Sequence, residues 1–419
     1  MKKNILLITY IVLIQFIFTQ QKILIPMDDI QTNHLKAYGI AFSELIENKN
    51  VDWLLNYRGG SFLFNNSEQI KRKCLLKGVK YEELNTDDIL SIYALIEEYN
   101  MEIILLEKAP KIAVYSPPNK QPWDDAVTLA LTYADISYDI IFDDEVMNNS
   151  LSKYDWLHLH HEDFTGQFGK FYRYRNQSWY KDMKQKFNSD ASKWGFNSVH
   201  KFKKTIALKI KNYISQGGFM FAMCSATDSF DIALSYYNTD FVHEFYDNTP
   251  IDKNYNLNVN YENGIAFENY QLYTDPTIYE YSTIDYPSSH QPLTRSAESD
   301  YFTLSSFSAK WDPVPSMLIQ NHVSNINGFM GQTTGYNKVY LKSHVIILAE
   351  DLYSEQVKYI HGNIGKGTFT FLGGHDPEDY RHFVGDPPTN LDLHRNSPGY
   401  RLILNNVLFP AAKKKKKKT

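Results

Sequence analysis

The segment Lys203 to Tyr237 constrains the fold more than any other. Lys203 to Ile214 carries apolar residues at helical spacing, Gly217-Gly218 supplies a stop, and Phe219-Met-Phe-Ala-Met223 follows as an unbroken apolar run. A helix closed by glycine and followed at once by a wholly apolar strand points to a strand buried on both faces, as in a parallel sheet sandwiched by helices. The run ends at Cys224. After it, Thr227, Asp228 or Ser229 can cap a helix from Phe230 to Tyr237. The alternation recurs: strands are predicted at Ile112–Tyr115, Tyr138–Phe142, Tyr154–His160, Val345–Leu348 and Thr368–Leu372, with helices at Asp124–Ala134 and Gly399–Leu408. The expected class is α/β, a doubly wound parallel sheet.

A chain of 419 residues holds more than one such sheet. Residues 22–108 read as a preceding small α/β unit, with strands at Lys22–Pro26, Val51–Asn56 and Met101–Leu106, and with Ile89, Ile92, Leu95 and Ile96 at helical spacing. Residues 248–337 change to Tyr, Asn, Ser and Pro with short alternating stretches, an insertion of irregular or antiparallel structure. The first twenty residues combine Lys2 and Lys3 with an apolar stretch from Ile5 to Phe18, the pattern of a secretory signal, so an exported protein, periplasmic or extracellular, is expected. The stretch is too short for a membrane span, and no stable span is expected after cleavage. Residues 413–419 are a lysine-rich tail. Setting aside Lys2, Lys3 and Lys413 to Lys418 leaves 35 basic residues against 48 acidic ones, which argues against a nucleic-acid partner. Two cysteines, Cys74 and Cys224, exclude a disulfide scaffold and read as free thiols.

Ligands of open α/β sheets bind beyond the carboxyl ends of the strands, and three strand ends carry reactive residues. At the first, Cys224 has Ala222 two residues before and Ala226 two residues after, the layout of a nucleophile elbow. A helix N-terminus favours the thiolate, although a buried core cysteine has the same surroundings. At the second, His158, His160, His161, Glu162 and Asp163 crowd into six residues. They suit the polar lining of a ligand cleft, and His158 and His160, sharing a strand face, are the weaker case for a metal pair. At the third, Gly373-Gly374 precede His375, Asp376 and Glu378. His375 is the candidate base for Cys224, with Glu378 or Asp376 to orient it. Ser225 and Gly374 complete the expected substrate contacts. No cofactor is called for.

At these motifs the chain resembles the class I glutamine amidotransferase-like superfamily, nearest its trehalose-utilisation (ThuA-like) branch. The resemblance rests on Tyr154-Asp-Trp-Leu-His-Leu-His, Gly217-Gly-Phe-Met-Phe-Ala-Met-Cys-Ser-Ala-Thr-Asp-Ser, Gly365-Lys-Gly-Thr-Phe-Thr-Phe-Leu-Gly-Gly-His-Asp and Tyr400-Arg-Leu-Ile-Leu-Asn-Asn-Val-Leu. It implies a flavodoxin-like core over 109–247 and 338–412. In the ThuA-like branch the elbow residue is usually histidine, so Cys224 is closer to the amidotransferase arm, whose His-x-Glu is here His375-Asp-Pro-Glu378. The whole chain is also similar to a secreted family, typical of Bacteroidetes, that carries the label asparagine synthetase B. The motifs do not support that label: Lys2 stands where its catalytic cysteine belongs, and no Ser-Gly-Gly-x-Asp-Ser loop for ATP is present.

Three functions follow. One is a Cys/His hydrolase or amidotransferase acting on a small carboxamide or related carbonyl. Another is a non-catalytic binding protein for a sugar, with Trp123, Trp156 and the aromatics of 164–180 as stacking faces and His160, Glu162 and Asp163 as hydroxyl partners. The third is an envelope-complex component using the insertion as its contact surface. Substrate identity and oligomeric state are not legible.

Overall fold

A computed structural model describes residues 21–118, 125–286, 300–329, 331–380 and 386–413. The expected signal segment, Trp123 and most of the lysine tail lie outside the described residues. Among those described, no helix is long and apolar enough to cross a membrane.

The N-terminal part comprises β1 (Lys22–Ile25), α1 (His34–Ile46), β2 (Val51–Leu55), β3 (Ser61–Asn65), α2 (Glu68–Lys77), β4 (Glu82–Leu84), α3 (Thr86–Glu98) and β5 (Glu102–Leu106). Its five strands form one antiparallel sheet in the order β4-β1-β3-β2-β5. β3 and β4 were not legible in the sequence. The turn before β3 holds Arg58, Gly59 and Gly60 at φ 48°, 76° and 87°, which folds β2 back on β3 as a hairpin. Asn85 caps α3 by accepting from the amides of Asp87 and Asp88. The helix then lays Ile89, Ile92 and Ile96 on Leu24, Leu54 and Leu63.

The larger sheet is built from β6 (Ile112–Tyr115), α4 (Ala126–Tyr133), β7 (Asp139–Ile141), α5 (Asp143–Met147), β8 (Trp156–Leu159), α6 (Ser178–Lys193), α7 (Val199–Ser215), β9 (Phe219–Met223), α8 (Ser225–Ser235) and α9 (Glu244–Asp247). It continues with β10 (Tyr301–Leu304), α10 (Pro313–Leu318), β11 (Asn325–Asn327), β12 (Tyr336–Asn337), β13 (Ile346–Glu350), β14 (Gln356–Ile364), β15 (Gly367–Leu372) and α11 (Pro398–Leu408). The strand order is β11-β10-β13-β14-β15-β9-β8-β6-β7, with β12 paired on β14. Only β15, β9, β8, β6 and β7 run parallel to one another. The remaining pairings are antiparallel, so the sheet is mixed.

Alternate residues of the parallel strands feed opposite layers. Val114, Trp156, Phe221 and Met223 pack with α1, α4 and α11. Tyr115, Leu157, Leu159 and Ala222 pack with α7 and α8. The expected all-parallel return of the chain is corrected by the β14–β15 hairpin, in which Ile364 pairs with Gly367 beside Gly365 at φ 58°. β14 escaped prediction because Lys358 and His361 interrupt its apolar pattern. Both are buried with a polar neighbour: Lys358 Nζ lies 3.1 Å from Asp300 Oδ2, and His361 Nδ1 lies 3.2 Å from Thr370 Oγ1.

A second buried pair fixes α7. Lys203 Nζ lies 2.9 and 2.8 Å from the two Asp143 oxygens and donates to Tyr115 Oη at 3.1 Å. Removing one partner strands the other charge in the core. Asp143→Ala is expected to cost about 3–5 kcal/mol, read as a lower urea midpoint, and the double variant Asp143→Leu/Lys203→Met to recover most of it.

Candidate active site

β9 delivers Cys224 to the mouth of the sheet in an unusual backbone conformation, φ 51° and ψ −138°. For a residue with a Cβ this region costs about 1–3 kcal/mol and persists only where neighbours enforce it. Those neighbours are visible. Cys224 is itself the N-cap of α8, a correction to the expected caps at Thr227, Asp228 or Ser229. The Thr227 hydroxyl donates to Cys224 O at 2.6 Å, and the Cys224 amide donates to Leu372 O at 3.3 Å. The first turns of α8 then lace the end of β8: Ala226 N donates to His160 O (3.2 Å), Ser225 Oγ to His161 O (3.0 Å) and Ser229 Oγ to Glu162 O (3.0 Å). Ser225 therefore positions His161 through its backbone.

The Cys224 side chain is buried, and the amide of Gln332 lies 3.2 Å from Sγ. Burial pushes the thiol up to about 11, against the backbone N–H groups of Thr333, Gln332 and Ser225, which favour the thiolate. Cys74, buried in α2, is pushed up to about 12 by the same desolvation. Both thiols are free.

His375 reaches the same place from β15. A Cβ added to Gly331 would sit 3.1 Å from Cys224 Sγ, 3.2 Å from His375 Cδ2 and 2.9 Å from Gly374 Cα. Sulfur and imidazole thus flank one glycine, from a segment the sequence reading had placed in the insertion. Gly374, at φ 79°, donates its amide to Thr333 O at 2.7 Å and so ties the two loops.

The other histidines converge here too. The His160 and His161 rings stack at 3.5 Å between centroids, and His375 stands edge-on to them at 5.4 and 4.6 Å. His158 and His160 do share a face, as expected. His158, however, is sealed in the sheet with Nδ1 3.1 Å from Phe221 O. Both turn toward Asp125, with His160 Nδ1 at 3.0 Å and His158 Nε2 at 3.6 Å from Oδ1. Burial raises the Asp125 carboxyl, but the facing His160 and His158 outweigh it and hold it well below the usual range. Asp125 also caps α4 through the amides of Val127 and Thr128. Sequence reasoning missed it as a site residue; its position as a cap just beyond β6, on the carboxyl edge, was the available signal.

Of the two carboxylates expected to orient the base, Glu378 falls elsewhere. Glu378 pairs with His394 (3.2 Å) rather than His375, and Asp376 Oδ1 accepts from the amides of Glu378 and Asp379 in its own loop. Asp163 staples its loop by accepting from Thr165 N and Gly169 N. Trp156 is fully buried and offers no stacking face. Glu162 lines a cavity of about 420 Å³ with Pro117, Pro118, His160, His161 and Phe171. Burial lifts its carboxyl to about 8 over the opposing pull of Lys203. A larger cavity, about 1250 Å³, opens at the opposite edge around Gly218 and Gly367 and includes none of these residues.

Beneath Cys224, buried Asp228 accepts from Thr333 Oγ1 at 3.1 Å and so supports the loop that covers the sulfur. Burial pushes its carboxyl up to about 7, against the Thr333 hydrogen bond.

No family model matches the chain, and no curated protein matches it in sequence. Among solved structures it is similar to the cytoplasmic proteins STM3548 from Salmonella typhimurium (11% identity, 73% of this chain and 100% of that one, TM-score 0.35) and STM1381 from Salmonella typhimurium LT2 (13%, 72% and 100%, 0.36). It is also similar to the exo-β-1,4-mannosidase Op5Man5 from Opitutaceae bacterium strain TAV5 (9%, 63% and 31%, 0.28). At TM-scores below 0.5 these likenesses establish neither a shared fold nor a shared activity.

An unfolded aspartate titrates near 3.9. Between there and 7, native Asp228 binds a proton that the unfolded chain lacks, so its contribution to stability falls as pH rises. Asp228→Asn removes that dependence. The melting temperature of the variant minus that of the parent is expected to increase from about pH 4 to pH 7, and a constant difference would contradict the assignment.

Proposed function

We propose that this chain is an exported, class I glutamine amidotransferase-like hydrolase in which Cys224 attacks a small carboxamide. The observation that carries the reading is the strained backbone of Cys224 at a strand-to-helix elbow, with His375 across Gly331. The order of the parallel strands, β7-β6-β8-β9-β15, is second, first, third, fourth, fifth along the chain, which supports a flavodoxin-like doubly wound core. In the proposed reaction His375 takes the thiol proton as sulfur adds to the carbonyl carbon. The amide of Ser225, next after the elbow, holds the developing oxyanion. Collapse expels ammonia, protonated by His375, and leaves a thioester, which water cleaves to the carboxylate and free thiol. The 331–335 segment must lift from Sγ for substrate to enter. Iodoacetamide labelling followed by mass spectrometry, in chelator-treated protein, is expected to modify Cys224 faster than Cys74. His375→Ala should slow Cys224 alone. Equal or slower labelling of Cys224 overturns the reading.

A second reading, polyol or sugar binding without catalysis, draws on the cavity beside His161, where Glu162 and Phe171 combine a carboxyl group with an aromatic face. It predicts a thermal shift with sugars that survives Cys224→Ala and is lost in Glu162→Ala. No shift with any sugar, together with carboxamide turnover, would end it.

A further inference from the structure

We propose that His160, His161 and His375 form a binding site for one divalent transition-metal ion of the zinc type. The inference goes beyond the hydrolase reading, because it stands on the three imidazoles and not on the thiol. β8 and β15 flank β9 in the sheet, so residues just past their ends meet above its end. One ligating nitrogen from each histidine can be chosen such that all lie within 4.8 Å of one another. Zinc–nitrogen bonds of about 2.0–2.1 Å bring ligands in a tetrahedral shell to about 3.4 Å apart. The contraction is small enough for side-chain rotation. The His160 and His161 planes, now 18° apart, must fan open around the ion, and His375, already near perpendicular to His161 at 79°, needs less change.

The surroundings have the form a metal site requires. His160 presents Nδ1 to Asp125 Oδ1 at 3.0 Å, the carboxylate–histidine pairing that fixes ring orientation and assigns Nε2 to the metal. Asp125 is itself anchored by the amides of Val127 and Thr128 at 2.8 and 3.2 Å, so the outer partner is rigid. Ser225 and Ala226 hold the backbone carbonyls of His161 and His160. Three imidazoles leave a fourth position for water or substrate, the arrangement of catalytic rather than structural zinc. His160 and His161 also line the cavity that contains Glu162. An ion there engages His375, so the thiol chemistry proposed above belongs to the metal-free protein.

The test is titration of the full-length, chelator-stripped protein with Zn²⁺ by calorimetry, paralleled by Co²⁺ titration followed in the visible spectrum. One equivalent is expected to bind with a tetrahedral or five-coordinate cobalt spectrum. His161→Ala and His375→Ala should each abolish saturable binding while circular dichroism shows the fold intact, with His375→Gln as the alternative should His375→Ala not fold. Asp125→Asn should weaken binding by about 10–100-fold. Cys224→Ala should bind as the parent does, which keeps this result separate from the alkylation experiment. Absence of saturable binding in the folded parent, or unchanged affinity in folded variants of both His161 and His375, overturns the proposal.

Discussion

The arrangement of this molecule depends on one strained turn. Cys224 occupies a backbone region that residues with a Cβ avoid, and it stays there because the first turns of α8 are hydrogen-bonded to three consecutive carbonyls, those of His160, His161 and Glu162. The same bonds that hold the elbow therefore hold the histidine loop. A rigid parallel sheet brings the strand ends together, and the lacing sets their spacing. Neither part achieves this alone.

Around that turn the protein buries charge freely but seldom without a partner. Lys203 meets Asp143, Lys358 meets Asp300, and Asp125 meets two imidazoles. Paired charges of this kind add little net stability compared with apolar replacements, yet each fixes a position. Asp228 and Glu162 behave differently. Burial raises both carboxyls, Asp228 beneath the loop that covers Cys224 and Glu162 in the cavity wall. The site thus sets Asp125, held below the usual carboxylate range by two imidazoles, beside two carboxyl groups that burial pushes up.

Much of this was legible in the sequence, for identifiable reasons. Apolar runs ending at Cys224 and at Gly373-Gly374 mark strands buried on both faces, and the parallel core follows from their alternation with helices. The convergence of Cys224 with His375 follows from the topology such alternation permits. What escaped was whatever departs from simple pattern. β14 is broken by Lys358 and His361, whose partners are remote in sequence. The partner of Glu378 proved to be His394, a choice set by loop geometry that spacing does not encode. Gly331 lies in a stretch that reads as irregular insertion, and only the folded chain reveals that its missing side chain leaves room for sulfur and imidazole to share. Asp125, at the start of the predicted 124–134 helix, caps it and also faces two imidazoles, a second task that spacing alone does not mark.

The Lys358–Asp300 contact has a further implication. Lys358 projects from the interior of the large sheet, and its ammonium group donates to Asp300 of the 248–337 segment, to which Tyr380 also donates at 3.0 Å. The segment is therefore a structural counterweight, supplying a buried carboxylate to an ammonium group at the centre of the sheet.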